Sequence, residues 1–412
     1  MEDIYVVGVG MTPFGRLLEK DIKTLTREAT QAALTDAGLV NSDLQAAFFG
    51  NASQGHMDGQ HMIRGQIALR SMGIGGIPVV NVENACASGS SAFVLAVNHL
   101  RSGSGEVALA VGAEKMFSTD RDRMFSVFDS AWDLSRADEI RNELLQLGQG
   151  VDVPPGSTSP KPYSVFMDVY AAFARAHMRR FGTTQRQLAA VSAKNHAHSV
   201  HNPLSQYRVA YTLEEVLAAP PITYPLTLPM CSPVSDGAAA AIVCTASGLK
   251  RLGIDAKRAI KVRASVIQTG TDRGDDDFAQ HCTALASRKA YELAGIGPQD
   301  VSVAEVHDAT AMGEIIQVEN LGFCEFGAGG RIAERGETRI GGRIPVNPSG
   351  GLESKGHPVG ATGIAQVHEL VTQLRGEAGA RQVQDARIAL AENGGGLQGI
   401  EEAVACITIL AR

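Results

Sequence analysis

The chain lacks any apolar run of the roughly 20 residues that a membrane-spanning helix requires. Its first residues, Met1-Glu2-Asp3, are acidic and lead straight into the apolar stretch Ile4 to Val9, which is no signal peptide. Basic charge is not in excess: 37 Lys and Arg stand against 44 Asp and Glu, a net charge of −7. The cationic face that tracks a phosphate backbone is therefore missing, and nucleic acid is not an expected partner. Cysteine is scarce, with six in 412 residues and no Cys-x-x-Cys pair. That excludes a disulfide framework and argues against structural zinc. Aromatics make up only 5%, but hydrophobic residues reach 44% and charged residues 20%, the composition of a folded chain. A cytoplasmic protein that neither crosses a membrane nor binds nucleic acid is the resulting expectation.

What is abundant is glycine, 45 residues, in a chain long enough for two or three domains. Apolar strand-like runs alternate with helical periodicity. Ile4 to Val9 reads as a buried strand, Leu25 to Ala37 as a helix stopped by Gly38, and Ala46 to Gly50 as a second strand. From Phe117 to about Thr183 charge clusters and the irregular Gly148–Gly156 segment interrupt the rhythm, as an insertion would. Strand character returns at Gly237 to Cys244, and the second half repeats the alternation from Ala259 to Leu410. The pattern predicts an α/β protein built from two halves of similar order.

Chemistry concentrates at four places. In Asn84-Ala85-Cys86-Ala87-Ser88-Gly89 a cysteine stands at a strand-to-helix turn among small residues. The unpaired N–H groups of a helix start would favour thiolate, the nucleophilic form. In Glu305-Val306-His307-Asp308 a strand ends in a His-Asp pair, where His307 could donate to an oxyanion and Asp308 is expected to cap the next helix. The segment Asn347 to Gly363 sets His357 among five glycines, a loop suited to close backbone approach and to a histidine base, with Lys355 read as a surface residue. Glu392-Asn393-Gly394-Gly395-Gly396 follows a late strand, and its amides suit an anion nest. Other patterns carry less. Gly8-x-Gly10 lacks the third glycine and the helix of a dinucleotide loop; His196, His198 and His201 have no completing ligand; Asp275–Asp277 lacks calcium-loop spacing.

Taken together these motifs resemble the thiolase superfamily, and within it the sterol-carrier-protein type. The resemblance runs through nearly the whole chain: Arg64, Asn84–Gly89, Gly112–Met116, Ser232 with Ser235–Ala240, His307-Asp308, and Asn347–Gly351 with Gly356–Gly363. It implies a five-layered αβαβα fold. An N-terminal half of residues 1–118 would be completed by about 229–255, with a loop domain over 119–228 and a C-terminal half over 256–412. It implies an acyltransferase that cleaves a 3-oxoacyl-CoA with coenzyme A, or runs the reverse condensation, through an acyl-Cys86 intermediate. Coenzyme A would be a substrate, with no covalently bound cofactor and no metal. His357 would activate Cys86, and His307 would help form one oxyanion hole. The amides of Cys86 and Gly394 would form the other. Ser232, and Ser349 with it, would lie along the substrate. A homodimer or tetramer is implied as well.

One departure matters. Thiolases carry a second cysteine as acid and base at the α-carbon. Here its two motif positions hold Glu392 and Ala309. Glu392 could replace the thiol if burial raised its pKa. His307 or a water could move the proton. Alternatively the chemistry could have become a retro-aldol cleavage, or acyl transfer to another acceptor, beside a small zinc-ribbon/OB-fold partner. A thiolase-fold subunit that binds without catalysing is the remaining alternative.

Overall fold

The structure is a computed structural model describing residues 2–412. Among the described residues there are eleven strands: β1 Ile4–Met11, β2 Ala46–Gly50, β3 Val79–Val82, β4 Val107–Glu114, β5 Pro221–Thr223, β6 Leu226–Thr227, β7 Gly237–Thr245, β8 Ile260–Thr269, β9 Val303–Glu305, β10 Ile388–Gly395 and β11 Val404–Ala411. β5 and β6 make a small separate ribbon; the other nine join in the order β3-β2-β4-β7-β1-β8-β11-β10-β9. The seam is slight. β1 meets β8 through only Tyr5–Lys261 and Val6–Ile260.

On either side of that seam the arrangement is the same. In the first half β2 runs parallel to β3 and β4, β4 antiparallel to β7, and β7 antiparallel to β1. In the second half β9 runs parallel to β10 and, through the single Ala304–Val346 bridge, to the segment after Pro345. β10 is antiparallel to β11, and β11 to β8. Counted within each half, the strand order is third, second, fourth, fifth, first. The repeat that the sequence showed only as rhythm is thus a repeat of topology.

Three apolar clusters separate the layers. Leu25, Ala29 and Ala33 of the Ile22–Ala37 helix cover one outer face with Val7, Leu109 and Ile242. Ala286 and Ala290 of the Cys282–Ala294 helix cover the opposite outer face with Ala264, Leu390 and Ile409. Between the two half-sheets lie the Ser88–Arg101 and Thr362–Arg375 helices, whose Phe93, Val97, Ile364 and Leu370 share one core with Ala110, Ala241 and Ala391. Two helices packed between sheets must be apolar nearly all round, and buried residues do encircle both. The outer Ile22–Ala37 helix is instead amphipathic, capped by the Asp21 side chain on Thr24 N at 2.8 Å and closed by Gly38 at φ 68°.

The inserted segment carries the Val165–Phe181 and Gln185–Ser199 helices, which pack on Ala309, Met312 and Ile315 of the second half. Here two expectations give way. Lys355 is not a surface residue: it is 1% exposed, and its Nζ pairs with Glu305 at 3.0 Å. Asp308 does not cap the following helix, whose N-cap is Thr310. Its carboxylate instead receives Leu352 N at 2.7 Å and Asn195 Nδ2 at 3.0 Å, binding the glycine loop to the insertion. Lys355→Met is expected to lower unfolding free energy by about 3–5 kcal/mol, because it strands a buried carboxylate. Adding Glu305→Gln should restore most of the loss in denaturant titrations. A single-variant loss below about 1 kcal/mol would contradict the pairing.

Candidate active site

Three loops converge where the two central helices begin. β3 ends at Val82, and Ala85 takes φ 47°, a left-handed conformation that a side chain resists. Ser88 Oγ holds the turn, donating to Ala85 O at 2.6 Å and accepting from Asn84 N at 2.9 Å. The result places Cys86 just before the helix that starts at Ser88, half-buried but open to a cavity.

The glycine loop delivers His357. Gly356 before it sits at φ 113°, and His357 N donates to Ser235 Oγ at 2.9 Å. The loop then passes so close to β4 that a Cβ on Gly112 would stand 2.0 Å from Gly360 O. Glu114 fixes it there, accepting from Gly360 N at 2.8 Å while also receiving Ser53 N at 2.9 Å. His357 Nε2 lies 3.3 Å from Cys86 Sγ, and its Nδ1 lies 2.7 Å from Thr362 Oγ1. The Thr362 hydroxyl donates to Pro358 O at 3.0 Å, so it accepts from Nδ1–H. This network assigns Nε2 as the free base facing the thiol.

His307 has the opposite tautomer by the same reasoning. Ser90 Oγ donates to Asn393 Oδ1 at 2.8 Å, which turns the Asn393 amide toward His307 Nδ1 at 3.0 Å. Nδ1 accepts, so Nε2 carries the hydrogen and is a donor. The Cys86 sulfur and one ring nitrogen from each of His307 and His357 lie within 4.8 Å of one another, and the two rings stand edge to face at 5.1 Å. The same spacing would admit a soft cation, though no carboxylate completes that set. In a second close group, His281, Cys282 and Glu401, the Glu401 charge is already engaged by Arg273 at 3.2 Å.

Charge at the site departs from expectation. Burial, reinforced by the Glu114 carboxylate, pushes the Cys86 thiol up to about 12, although the backbone N–H groups of Cys86 and Gly396 both favour its thiolate. Desolvation outweighs the helix start, so the resting group is a thiol. Burial also holds His357 well below its ordinary value, helped by His307 and Lys355, and lowers His307 to about 4. At neutral pH the site is a neutral thiol against a neutral base, with a neutral donor beside them.

Two cavities meet at Cys86. One of about 680 Å³ is walled by Phe125, Tyr163, Phe166, Tyr170, Ser232 and both histidines. The other, about 540 Å³, is walled by Trp132, Arg136, Ile140 and Leu397. Much of both walls comes from the insertion, which therefore shapes what can reach the sulfur.

The remaining candidates fall differently. Ser232 lines the larger cavity. Ser349 does not: its Oγ and N both bind the buried Glu305, at 2.7 and 3.0 Å. Gly394 lies inside the β10–β11 ladder opposite Ala405, and it is Gly396 whose amide reaches the sulfur. Glu392 is absent from both cavity walls and accepts from His307 N at 2.8 Å, behind the ring. Sequence reasoning gave no role to Thr362 or Asn393, although both sit inside the quoted motifs; it missed Tyr170 and Glu402 entirely, because neither belongs to a motif.

Comparison with known proteins decides the family. Residues 4–210 match the thiolase N-terminal domain and residues 265–410 the thiolase C-terminal domain-like model. The chain belongs to the thiolase family. It is 41% identical over 403 residues to an acetyl-CoA acetyltransferase of Methanothermobacter thermautotrophicus, covering 97% of this chain and 98% of that one. It is 37% identical to human sterol carrier protein 2 over 95% of this chain and 69% of that protein. Among solved structures it superposes on an Ltp2-ChsH2(DUF35) aldolase, at TM-score 0.77 and 23% identity, with 99% and 97% of the chains covered. A second match is the Acat5 thiolase from Ascaris suum in complex with coenzyme A, at TM-score 0.69 and 18% identity. This thiolase is an enzyme of acyl transfer, and the two-halved αβαβα architecture is its family fold. Among the described residues no helix is long and apolar enough to cross a membrane.

Removing the His307 donor should cost this thiolase about 10²–10³ in turnover, as loss of one oxyanion donor does elsewhere. His307→Phe would show it. The effect should be on the carbon–carbon step, with acylation of Cys86 by a simple acyl-CoA within about tenfold of wild type. Equal losses in both steps would contradict the assignment.

Proposed function

We propose that this thiolase cleaves a 3-oxoacyl-CoA with coenzyme A, or runs the reverse condensation, through an acyl-Cys86 intermediate. The observation that carries the reading is His357 Nε2, unprotonated and 3.3 Å from the Cys86 sulfur. His357 takes the thiol proton as sulfur adds to the substrate carbonyl, and the amides of Cys86 and Gly396 receive the oxyanion. Expelling C2 breaks the carbon–carbon bond and leaves its electron pair as a thioester enolate, to which His307 Nε2–H donates. Coenzyme A then accepts the acyl group from sulfur. The names of the relatives, an acetyl-CoA acetyltransferase among them, support an acyl-CoA substrate.

A homodimer belongs to this reading. β3 is a sheet edge whose Val80 and Asn81 are exposed, a strand that a second copy could pair with.

The test is coenzyme-A-dependent loss of 3-oxoacyl-CoA across short to long chains, followed through its enolate absorbance. Turnover that needs coenzyme A is the expected result. A second reading, aldolase or acyl transfer to another acceptor beside a zinc-ribbon/OB-fold partner, is favoured by the missing second thiol. Acyl-Cys86 that forms but is never discharged by coenzyme A would select it.

A further inference from the structure

Glu402 is a buried carboxylic acid on the wall of the reaction cavity, with one of its two oxygens left without a hydrogen bond. It follows the loop between β10 and β11 and is 7% exposed. It lines the same cavity as Cys86, His307 and His357. One oxygen is held: Gln317 Nε2, on the Ala311–Asn320 helix, donates to Oε1 at 2.8 Å. The other, Oε2, is buried and makes no hydrogen bond. His281 Nε2 stands 3.3 Å from it without the alignment for one.

Its position is informative. The carboxyl lies over Gly394, where a Cβ would come within 2.6 Å of Glu402 Cγ and 3.3 Å of its Oε1. That stretch of β10 is where the family's second cysteine is expected, and the motif residue Glu392 turns away from the cavity. Glu402 reaches that stretch of β10 from the turn just before β11.

We propose that Glu402 is the catalytic residue that moves the proton at the substrate's α-carbon, in place of the missing second thiol. The inference rests on the acyl-CoA reading above and deepens it. In cleavage, the enolate released from the acyl group takes the Glu402 proton at C2, leaving an acyl-CoA and a carboxylate. That carboxylate then takes the thiol proton of coenzyme A as its sulfur attacks acyl-Cys86, and the departing Cys86 thiolate recovers its proton from His357. In condensation the carboxylate removes the α-proton, and its electron pair becomes the nucleophile.

The surroundings suit both states. Burial foremost, then the Glu401 carboxylate, raises Glu402 to about 7, opposed by its own backbone N–H and by Arg273 and Gln317. Arg273 is already paired with Glu401. His281 is held neutral, its value lowered to about 3 by burial. Tyr170, across the cavity, is buried and stays a phenol, and burial holds Glu392, behind His307, well above the usual carboxylate range. An acid near neutrality serves a group that must give a proton in one direction and take it in the other.

The test separates two steps in wild type, Glu402→Gln and Glu402→Asp. Acyl-Cys86 formation is read by intact mass, and exchange of the acetyl-CoA α-hydrogens with D2O by product mass. Glu402→Gln should form acyl-enzyme within about threefold of wild type and lose exchange by at least about 100-fold, with partial recovery in Glu402→Asp. Exchange should rise with pH through about 7 in wild type, as the carboxylate forms, and lose that limb in the Gln variant. Exchange that survives in the Gln variant would overturn the proposal, and so would equal loss of both steps. Should the Gln variant not fold, a flat wild-type exchange profile across about pH 6–8 would overturn it alone. Wild type that never forms acyl-Cys86 would instead remove the reading beneath it.

Discussion

Cys86→Ala is expected to lower turnover by on the order of 10⁵-fold or more and to leave no acyl-enzyme. The size follows from the chemistry: without the sulfur, no other group at the site can accept the acyl chain. Both histidines are neutral, and each has its second nitrogen engaged, by Thr362 and by Asn393. The fold should survive, since the turn is held by Ser88, Asn84 and Ser91 rather than by sulfur. A midpoint of unfolding within about 3 °C of wild type would show this. Retained turnover above about 1% would mean that the reaction does not pass through Cys86.

His357→Asn should cost about 10³–10⁴ in the rate of Cys86 acylation, and it should also change the shape of the pH profile. In wild type the reactive state is thiol with neutral imidazole. That state persists from the depressed His357 value up toward the raised Cys86 value of about 12. Acylation is therefore expected to be flat through neutrality and to fall only in acid, as His357 gains a proton. Without the base, reaction must wait for free thiolate. The variant's rate should climb tenfold per pH unit through the neutral and alkaline range. Single-turnover acylation by quench and mass spectrometry measures both. A variant profile as flat as that of wild type would contradict the assigned roles.

The resting thiol marks one boundary of what the sequence reveals. A cysteine before a helix start reads as activated, because the helix terminus is a local feature. The desolvation that outweighs it, and the Glu114 charge that adds to it, come from the packed fold and cannot be placed from sequence. Lys355 is the same lesson. Among Gly, Ser and Glu it looks solvated, yet Glu305 reaches it across the fold at 3.0 Å. Short motifs, by contrast, made the candidate trio legible: Cys86, His307 and His357 each stand at a strand end or in a loop whose glycines permit close approach, and the fold brings one ligand atom of each together.

The glycine nest shows where motif reading stops. Among three consecutive glycines the resemblance pointed to the amide of Gly394. β10 runs on through Gly395, so Gly394 is committed to the ladder and Gly396, at φ 68°, turns toward the sulfur. Glu392 was the natural substitute for the missing thiol by position, but its carboxyl accepts from His307 N behind the ring. Glu402, ten positions on and in no motif, is visible only once β10 and β11 are paired. The internal repeat was legible as a rhythm of strands and helices, while its identity as one strand order used twice needed the pairings themselves.

The most direct measurement is the mass of the Cys86 peptide after exposure to a 3-oxoacyl-CoA in the absence of free coenzyme A. The account predicts one acyl increment on that peptide, confined to Cys86 among the six cysteines and discharged when coenzyme A is added. An unmodified Cys86 peptide beside turning-over substrate, or an acyl group found on another cysteine, would contradict it.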